Sequence, residues 1–304
     1  MRRRKLSGNR GLSLAGGRAR EFVMKSWDER EQMVTEAVRR IRRECSLVPS
    51  VGIILGSGFA PLVQEIERGC AIPYETIPHF RVPSVQGHHG FLILGRFGDA
   101  TVAFLQGRVH LYEGYPIEDV MFPVRVLAKL GIHSLIITNA SGSLTKEIGP
   151  GEVMLVEDQI DLMFCSPLRG QCGWKSEPMV RRAWAIYDRN YMELAKEAAR
   201  RTGILLHQGI LCTTKGPSYE TAAESQFMRK IGADAACMST SHEVMVARTL
   251  GLKVLGLSCV SNLATGIGSG ELSHDEVTQL VGKTVKRIVP FLKELIREIS
   301  ILRG

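Results

Sequence analysis

The sequence predicts an α/β protein built as one domain, and three observations carry that expectation. From Val51 onward, short β-branched runs alternate with helix-like periodic segments. The 304 residues hold 44% hydrophobic and 23% charged side chains, enough for one large core or two small ones, which excludes low-complexity disorder for most of the chain. No internal repeat and no Pro/Gly/Ser linker divides the body, so one domain is the better reading.

The elements follow in order. Residues 1 to 23 are Gly- and Arg-rich and read as a flexible basic tail outside the fold, with Met24 as an alternative first residue; the folded domain is then 24–304. An apolar-periodic helix follows Met24 and runs to about Cys45. Short apolar runs predict strands at 51–55 (VGIIL), 92–95, 100–106, 134–139, 152–158, 205–213, 234–239 and 253–261. Helices fit between them at 117–130, 179–202, 220–231 and 242–250, and a closing helix at 274–300 opens on Ser273 and Glu276, spaced as a capping box.

A formal charge of +8 raises nucleic acid or an anionic membrane as a partner. The surplus is local. Residues 1 to 20 hold seven basic side chains and no acid, and the rest of the chain balances 32 basic against 31 acidic groups. A nucleic-acid module would rest on that tail alone, because the body lacks a basic stripe with interleaved aromatics. The same Arg-rich, acid-free tail suggests an organellar transit peptide, against which its glycines argue.

The seven cysteines are odd in number, scattered and without a CxxC pair, which argues against zinc and against a disulfide framework. Cys237 and Cys259 lie inside apolar runs, as free thiols do in a reducing, cytoplasmic setting. No apolar run approaches the ~20 residues of a membrane span.

Polar chemistry collects after the strands, where open α/β sheets place ligands. Gly56-Ser57-Gly58 is either a tight turn or an anion site, and neither a Walker loop nor a GxGxxG fingerprint accompanies it. In Gln106–Tyr115, Arg108, His110 and Tyr112 alternate and so share one side of an extended segment, with a guanidinium fork suited to phosphate; ordinary surface charges are the other reading. Asn139–Ser143 offers small residues for a backbone anion nest or a plain loop. His88 and His89 carry no carboxylate or cysteine at ligand spacing, so a metal is not expected. Glu220, in Gly216–Thr221, sits where a first helical turn favours an acid, by simple capping or as a ligand group. Ala236–Thr240 and Ser258–Asn262 end two further apolar strands, and the Asn262 amide can read a heterocycle edge that has a carbonyl beside a ring nitrogen.

With those residues in place, the chain resembles the purine nucleoside phosphorylases of the trimeric, 6-oxopurine type. The likeness runs from about Val51 to Val277 and rests on QGRVHLYEGYP (106–116), FPVRVL (122–127), TNASGS (138–143), GPSYET (216–221), GAD with MST (232–240), SNLATGI (261–267) and LSHDEV (272–277). It implies a single mixed sheet, partly barrel-like and flanked by helices. It also implies a homotrimer in purine salvage, acting on purine nucleosides with no cofactor, inorganic phosphate being the co-substrate. Carried over residue by residue, it implies a phosphate site of Ser57, His88, Arg108, His110, the Ala140 backbone and Ser239. Tyr112 and Met238 would line the ribose, His274 would meet the 5′-hydroxyl, and Glu220 and Asn262 would grip the purine, with Asn262, His110 and Glu220 as the catalytic set.

The expected chemistry is phosphorolysis of inosine, guanosine and their 2′-deoxy forms, in which phosphate attacks an oxocarbenium-like sugar while donors stabilise the departing base. Methylthioadenosine phosphorylase, from the same fold family, is the near alternative; Glu220 with Asn262 favours a 6-oxo base. A nucleoside hydrolase would leave the anion site without a purpose.

The chain departs from the family pattern at Ser241-His242-Glu243, where V-P-E is usual, with His242 expected to face solvent. Lys215 replaces a small or uncharged residue and either tunes the purine preference or snorkels outward. Ser141 and Ser143 replace Ala and Gly with little expected effect. Residues 164–185 match poorly, and the neighbour's aromatic that closes over the ribose in the family has no counterpart by sequence.

Overall fold

The structure is a computed structural model and describes residues 27–169, 186–268 and 274–302. The 1–23 tail, Cys172, Trp174, Trp184 and Ser273 lie outside the described residues.

Among the described residues, nine strands form one sheet: β1 (Val51–Leu55), β2 (Glu67–Pro73), β3 (Phe91–Phe97), β4 (Ala100–Gln106), β5 (Ser134–Ser143), β6 (Val153–Asp161), β7 (Leu206–Thr213), β8 (Ala235–Cys237) and β9 (Lys253–Leu263). Their order is β2-β3-β4-β1-β5-β8-β7-β6-β9, and β9 returns to pair with β5. That last pairing closes β5, β8, β7, β6 and β9 into a ring, so the sheet is open at the β2 end and barrel-like at the other. The ladders are mixed: β1 runs parallel to β4 and β5, and β5 parallel to β9, while β3–β4, β5–β8 and β6–β9 are antiparallel.

Every residue of β1 is buried, as a strand covered on both faces requires. Alternation then divides the core. Ile54, Ala103 and Leu105 pack with α1 (Trp27–Glu44), α3 (Phe122–Leu130) and α6 (Ser241–Thr249), through Val34, Ala37, Val124, Leu127, Val244 and Ala247. Ile53, Leu55, Val102 and Phe104 face the other layer, α4 (Arg189–Thr202) and α7 (His274–Ile301), against Tyr191, Ala195, Ile288 and Leu295. Each fully buried Val, Leu, Ile or Phe among them contributes roughly 1.5–3 kcal/mol over an exposed one.

The differences from the sequence reading have local causes. The 117–130 helix is two, α2 (Ile117–Val120) and α3, because Pro123 starts a new helix better than it continues one. Of the predicted 179–202 helix, residues 179–185 lie outside the described residues, and among the described ones a helix runs over Arg189–Thr202, where Asp188 accepts from the Tyr191 amide as its N-cap. The 220–231 helix is α5 (Ala222–Lys230), capped by Thr221 and Glu224 in a reciprocal box, so Glu220 precedes the helix and does not cap it. β5 continues through Ser143 and β9 through Leu263, in register with each other past a bulge between Ser141 and Gly142. Asn139–Ser143 is therefore strand and not a loop nest, and Asn262 lies inside β9. Strand β2 had no signal: it is an edge strand, largely exposed and mixed in polarity.

Candidate active site

One open-mouthed pocket lies where β1, β4, β5, β8 and β9 deliver their polar residues. Ser57, Arg108, His110, Tyr112, Ala140, Glu220, Met238, Ser239 and Asn262 all line it. His88 stands behind Ser57. His274 opens α7, and its side chain lies outside the described residues.

The cationic end is built from three chain segments. After β1, Gly58 at φ +81 turns the chain and presents Ser57. His88 is buried, and its Nδ1 accepts the Arg108 amide proton at 2.8 Å, so the neutral ring carries its proton on Nε2. That proton goes to Ser57 Oγ, 3.1 Å away, which leaves the serine hydroxyl its own proton to donate to an anion. Gly107 permits this approach: its φ is +97, and a Cβ there would lie 2.7 Å from His88 Cα.

Arg108 is 6% exposed; both of its terminal nitrogens are held, while its buried Nε has no hydrogen-bond partner among the described residues. Its Nη1 reaches Glu243 Oε1 at 2.8 Å and Ser239 Oγ at 3.2 Å, and its Nη2 donates to the Thr138 carbonyl. Glu243 is equally buried and also accepts the Thr240 amide through Oε2 at 2.6 Å. A guanidinium fixed in this way meets an anion without reorganising, which is where placed charges act best.

His110 and Tyr112 do share a face, but not by strand alternation: Leu111–Glu113 is a 3₁₀ turn, and the two rings stack at 4.8 Å with 8° between their planes. Glu113 holds this arrangement. Its Oε1 accepts from the His110 amide at 2.6 Å and from Nδ1 at 3.2 Å, and its Oε2 from the Ser84 amide and hydroxyl at 2.6 and 2.7 Å. Burial alone would raise the Glu113 carboxyl; the hydrogen bonds from His110 and Ser84 outweigh it and bring it down to about 2. The ionised carboxylate fixes the tautomer and leaves Nε2 of His110 for a ligand. Burial, with Glu113 nearby, pushes the Tyr112 phenol up to about 12, so it remains a donor.

The opposite end carries amide and carboxylate. Thr214 Oγ1 donates to Glu220 Oε1 at 2.7 Å. The Asn262 amide is oriented by Ser261, whose hydroxyl donates to Oδ1 at 2.7 Å, and by its own Nδ2 donating to the Leu263 carbonyl at 3.0 Å. Between the ends, Met238 packs over Gly216 so closely that its sulfur leaves no room for a Cβ there.

Two expectations about the departures change. His242 does not face solvent: it is 2% exposed, and its Nε2 pairs with Asp161 Oδ2 at 3.0 Å. Ser141 is no bystander, since its hydroxyl bonds Ser258 at 2.7 Å in the buried interior. Lys215 is exposed, as outward snorkelling requires. Sequence reasoning missed Glu113, Thr240 and Glu243. Glu113 follows His110 by three residues, and Thr240 and Glu243 carry the T-x-x-E capping-box spacing, which was the available signal. Among the described residues, no group of three or more His, Cys, Asp and Glu side chains could hold a metal ion, and no helix is long and apolar enough to cross a membrane.

Residues 50–297 match the sequence profile of the family described as Phosphorylase superfamily. Purine nucleoside phosphorylase 1 of Geobacillus stearothermophilus is 39% identical over 88% of this chain and 97% of its own length. The Bos taurus purine nucleoside phosphorylase is 35% identical over 83% of this chain and 90% of its own. The crystal structure of the Schistosoma mansoni purine nucleoside phosphorylase in complex with adenosine superposes with a TM-score of 0.80 at 32% identity, covering 88% of this chain and 97% of that one. None of these relatives supports a nucleic-acid module.

Proposed function

The chain belongs to the phosphorylase superfamily and, within it, to the purine nucleoside phosphorylases, and from that premise we propose that it cleaves inosine, guanosine and their 2′-deoxy forms with inorganic phosphate. The observation that carries the substrate reading is the polarity of the pocket. A fixed cation with hydroxyl donors lies at one end, an oriented amide and carboxylate at the other, and Tyr112 with Met238 between them.

Ser57, Arg108, Ser239 and the Ala140 backbone hold the phosphate dianion against the anomeric carbon, and His110 Nε2 accepts from its P–OH. Holding the two reactants together replaces a bimolecular encounter, and the chain needs no covalent nucleophile. As the C–N bond breaks, positive charge grows on the ribose beside phosphate and negative charge grows on the purine. Asn262 meets the latter: its Nδ2 donates to O6, and its Oδ1 accepts from a protonated N7. Glu220, with Oε1 fixed by Thr214, accepts from N1–H and from a 2-amino group. Adenine lacks the N1 proton, so this end favours 6-oxopurines over methylthioadenosine.

A homotrimer belongs to the same proposal, and so does a cytoplasmic role in purine salvage. Phe164, 87% exposed just beyond β6, is the aromatic we place across the subunit boundary over a neighbour's ribose. Turnover of inosine, guanosine, adenosine and methylthioadenosine at saturating phosphate tests the reading. A kcat/KM highest for the 6-oxo nucleosides supports it, and preference for methylthioadenosine overturns it.

A further inference from the structure

The phosphate end depends on a turn that its own residues disfavour. Thr240 has φ +87 and ψ −55, and the Ser241 amide bonds the Ser239 carbonyl across it at 3.2 Å. This is the rare, strained form of γ-turn, and a β-branched residue is among the least suited to positive φ. It occurs between Ser239, which Arg108 touches, and α6, whose Glu243 holds Arg108. Such strain persists only where surrounding contacts over-determine it.

Those contacts are visible. Glu243 accepts the Thr240 amide, and the Thr240 hydroxyl accepts the Glu243 amide in return. The remaining restraint comes from another strand: Asn139 Nδ2 donates to Thr240 Oγ1 at 3.0 Å. Asn139 is 2% exposed, and its own amide orientation is fixed, because Ser258 Oγ donates to its Oδ1 at 2.6 Å. The same Ser258 hydroxyl also points at Ser141 Oγ, 2.7 Å away, so Asn139 and Ser141 share this donor. The family pattern usually has Ala at the position of Ser141, so this chain carries one more link.

We propose that Asn139 is a positioning residue for phosphate: by holding Thr240 in its strained turn, it aims Ser239 and, through Glu243, Arg108. This rests on the phosphorylase reading of the pocket and predicts a selective defect. Asn139→Ala raises the KM for phosphate about tenfold, the value of one buried hydrogen bond, and changes the KM for inosine less than about threefold. Glycine adopts positive φ without strain, so in a Thr240→Gly background the Asn139→Ala change moves the phosphate KM less than about threefold.

Parallel rises in both KM values, or the same tenfold effect in both backgrounds, would overturn the proposal. Thr240→Val, which leaves Asn139 in place and removes the hydroxyl that Asn139 and the Glu243 amide both use, gives a second reading if Asn139→Ala does not fold. A phosphate KM raised about tenfold supports the proposal, and one within about twofold of the parent contradicts it. Calorimetric titration of the same proteins with inorganic phosphate alone separates this proposal from the assigned activity. The Kd pattern tests the turn whether or not inosine is cleaved, and absence of inosine cleavage by the parent protein bears only on the activity.

Discussion

Replacing Arg108 with methionine separates what the buried ion pair does for folding from what it does for the ligand. Arg108 and Glu243 are each 6% exposed on their side chains and 2.8 Å apart. Removing the cation leaves a buried carboxylate without a countercharge, which costs about 3–5 kcal/mol. At about 2–4 °C per kcal/mol for a chain of this size, Arg108→Met melts roughly 6–20 °C lower in phosphate-free buffer. Adding Glu243→Gln removes the stranded charge while its amide oxygen still accepts the Thr240 amide, so the double variant regains more than half of that loss. Activity does not return with stability. Both variants lose the charge-assisted bonds to phosphate, and the phosphate KM of each rises about 100-fold or more. Scanning calorimetry with steady-state kinetics reads both effects. The reasoning fails if the single variant melts within about 2 °C of the parent, if the double variant melts no higher than the single, or if either keeps its affinity for phosphate.

Three further outcomes follow from the geometry. Asn262→Ala lowers kcat for inosine by about 100- to 1,000-fold, the usual cost of one leaving-group donor, with little change in melting because the side chain is only half-buried; a loss under tenfold would remove Asn262 from the chemistry. Gly107→Ala, which forces a side chain into the 2.7 Å gap at His88 and into a φ of +97, destabilises the protein and raises the phosphate KM, as melting and kinetics together would show. Glu113 carries a pH signature: its pKa falls from 4.5 to about 2 on folding, so the stability it contributes is complete above pH 4.5 and is lost as pH falls toward 2. Glu113→Gln therefore flattens the acid limb of stability against pH, and denaturant titrations across that range that show equal slopes for both proteins would contradict the assignment.

What the sequence made legible divides along physical lines. Strands β1 and β4 were readable because a strand buried on both faces becomes an apolar run, as VGIIL is. The exposed edge strand β2 buries little and left no such mark. The ligand-facing residues could be named because Arg108, His110, Glu220 and Asn262 are chemically distinctive within ordered motifs. Their supports were harder to see. Glu243 stood in plain sight as a helix-capping acid, but only the fold reveals that its other oxygen holds a cation from β4's far end, 135 residues away in the chain. His242 read as a surface residue at a helix start until Asp161, from the end of β6, appeared beside it. Asn139 read as the last residue of a strand and Ser141 as loop until β9 paired with β5 beyond the point where the apolar run stops. Partnerships across the sheet carry no local pattern.

The central claim is that the fixed cation, hydroxyls and histidines of this pocket exist to hold phosphate as the nucleophile. Inosine cleavage by the purified protein, measured in phosphate-free buffer and again with added inorganic phosphate, tests it most directly. Hypoxanthine release is expected only with phosphate and in equal amount to ribose 1-phosphate. Release of hypoxanthine with free ribose, at a rate indifferent to phosphate, would contradict it.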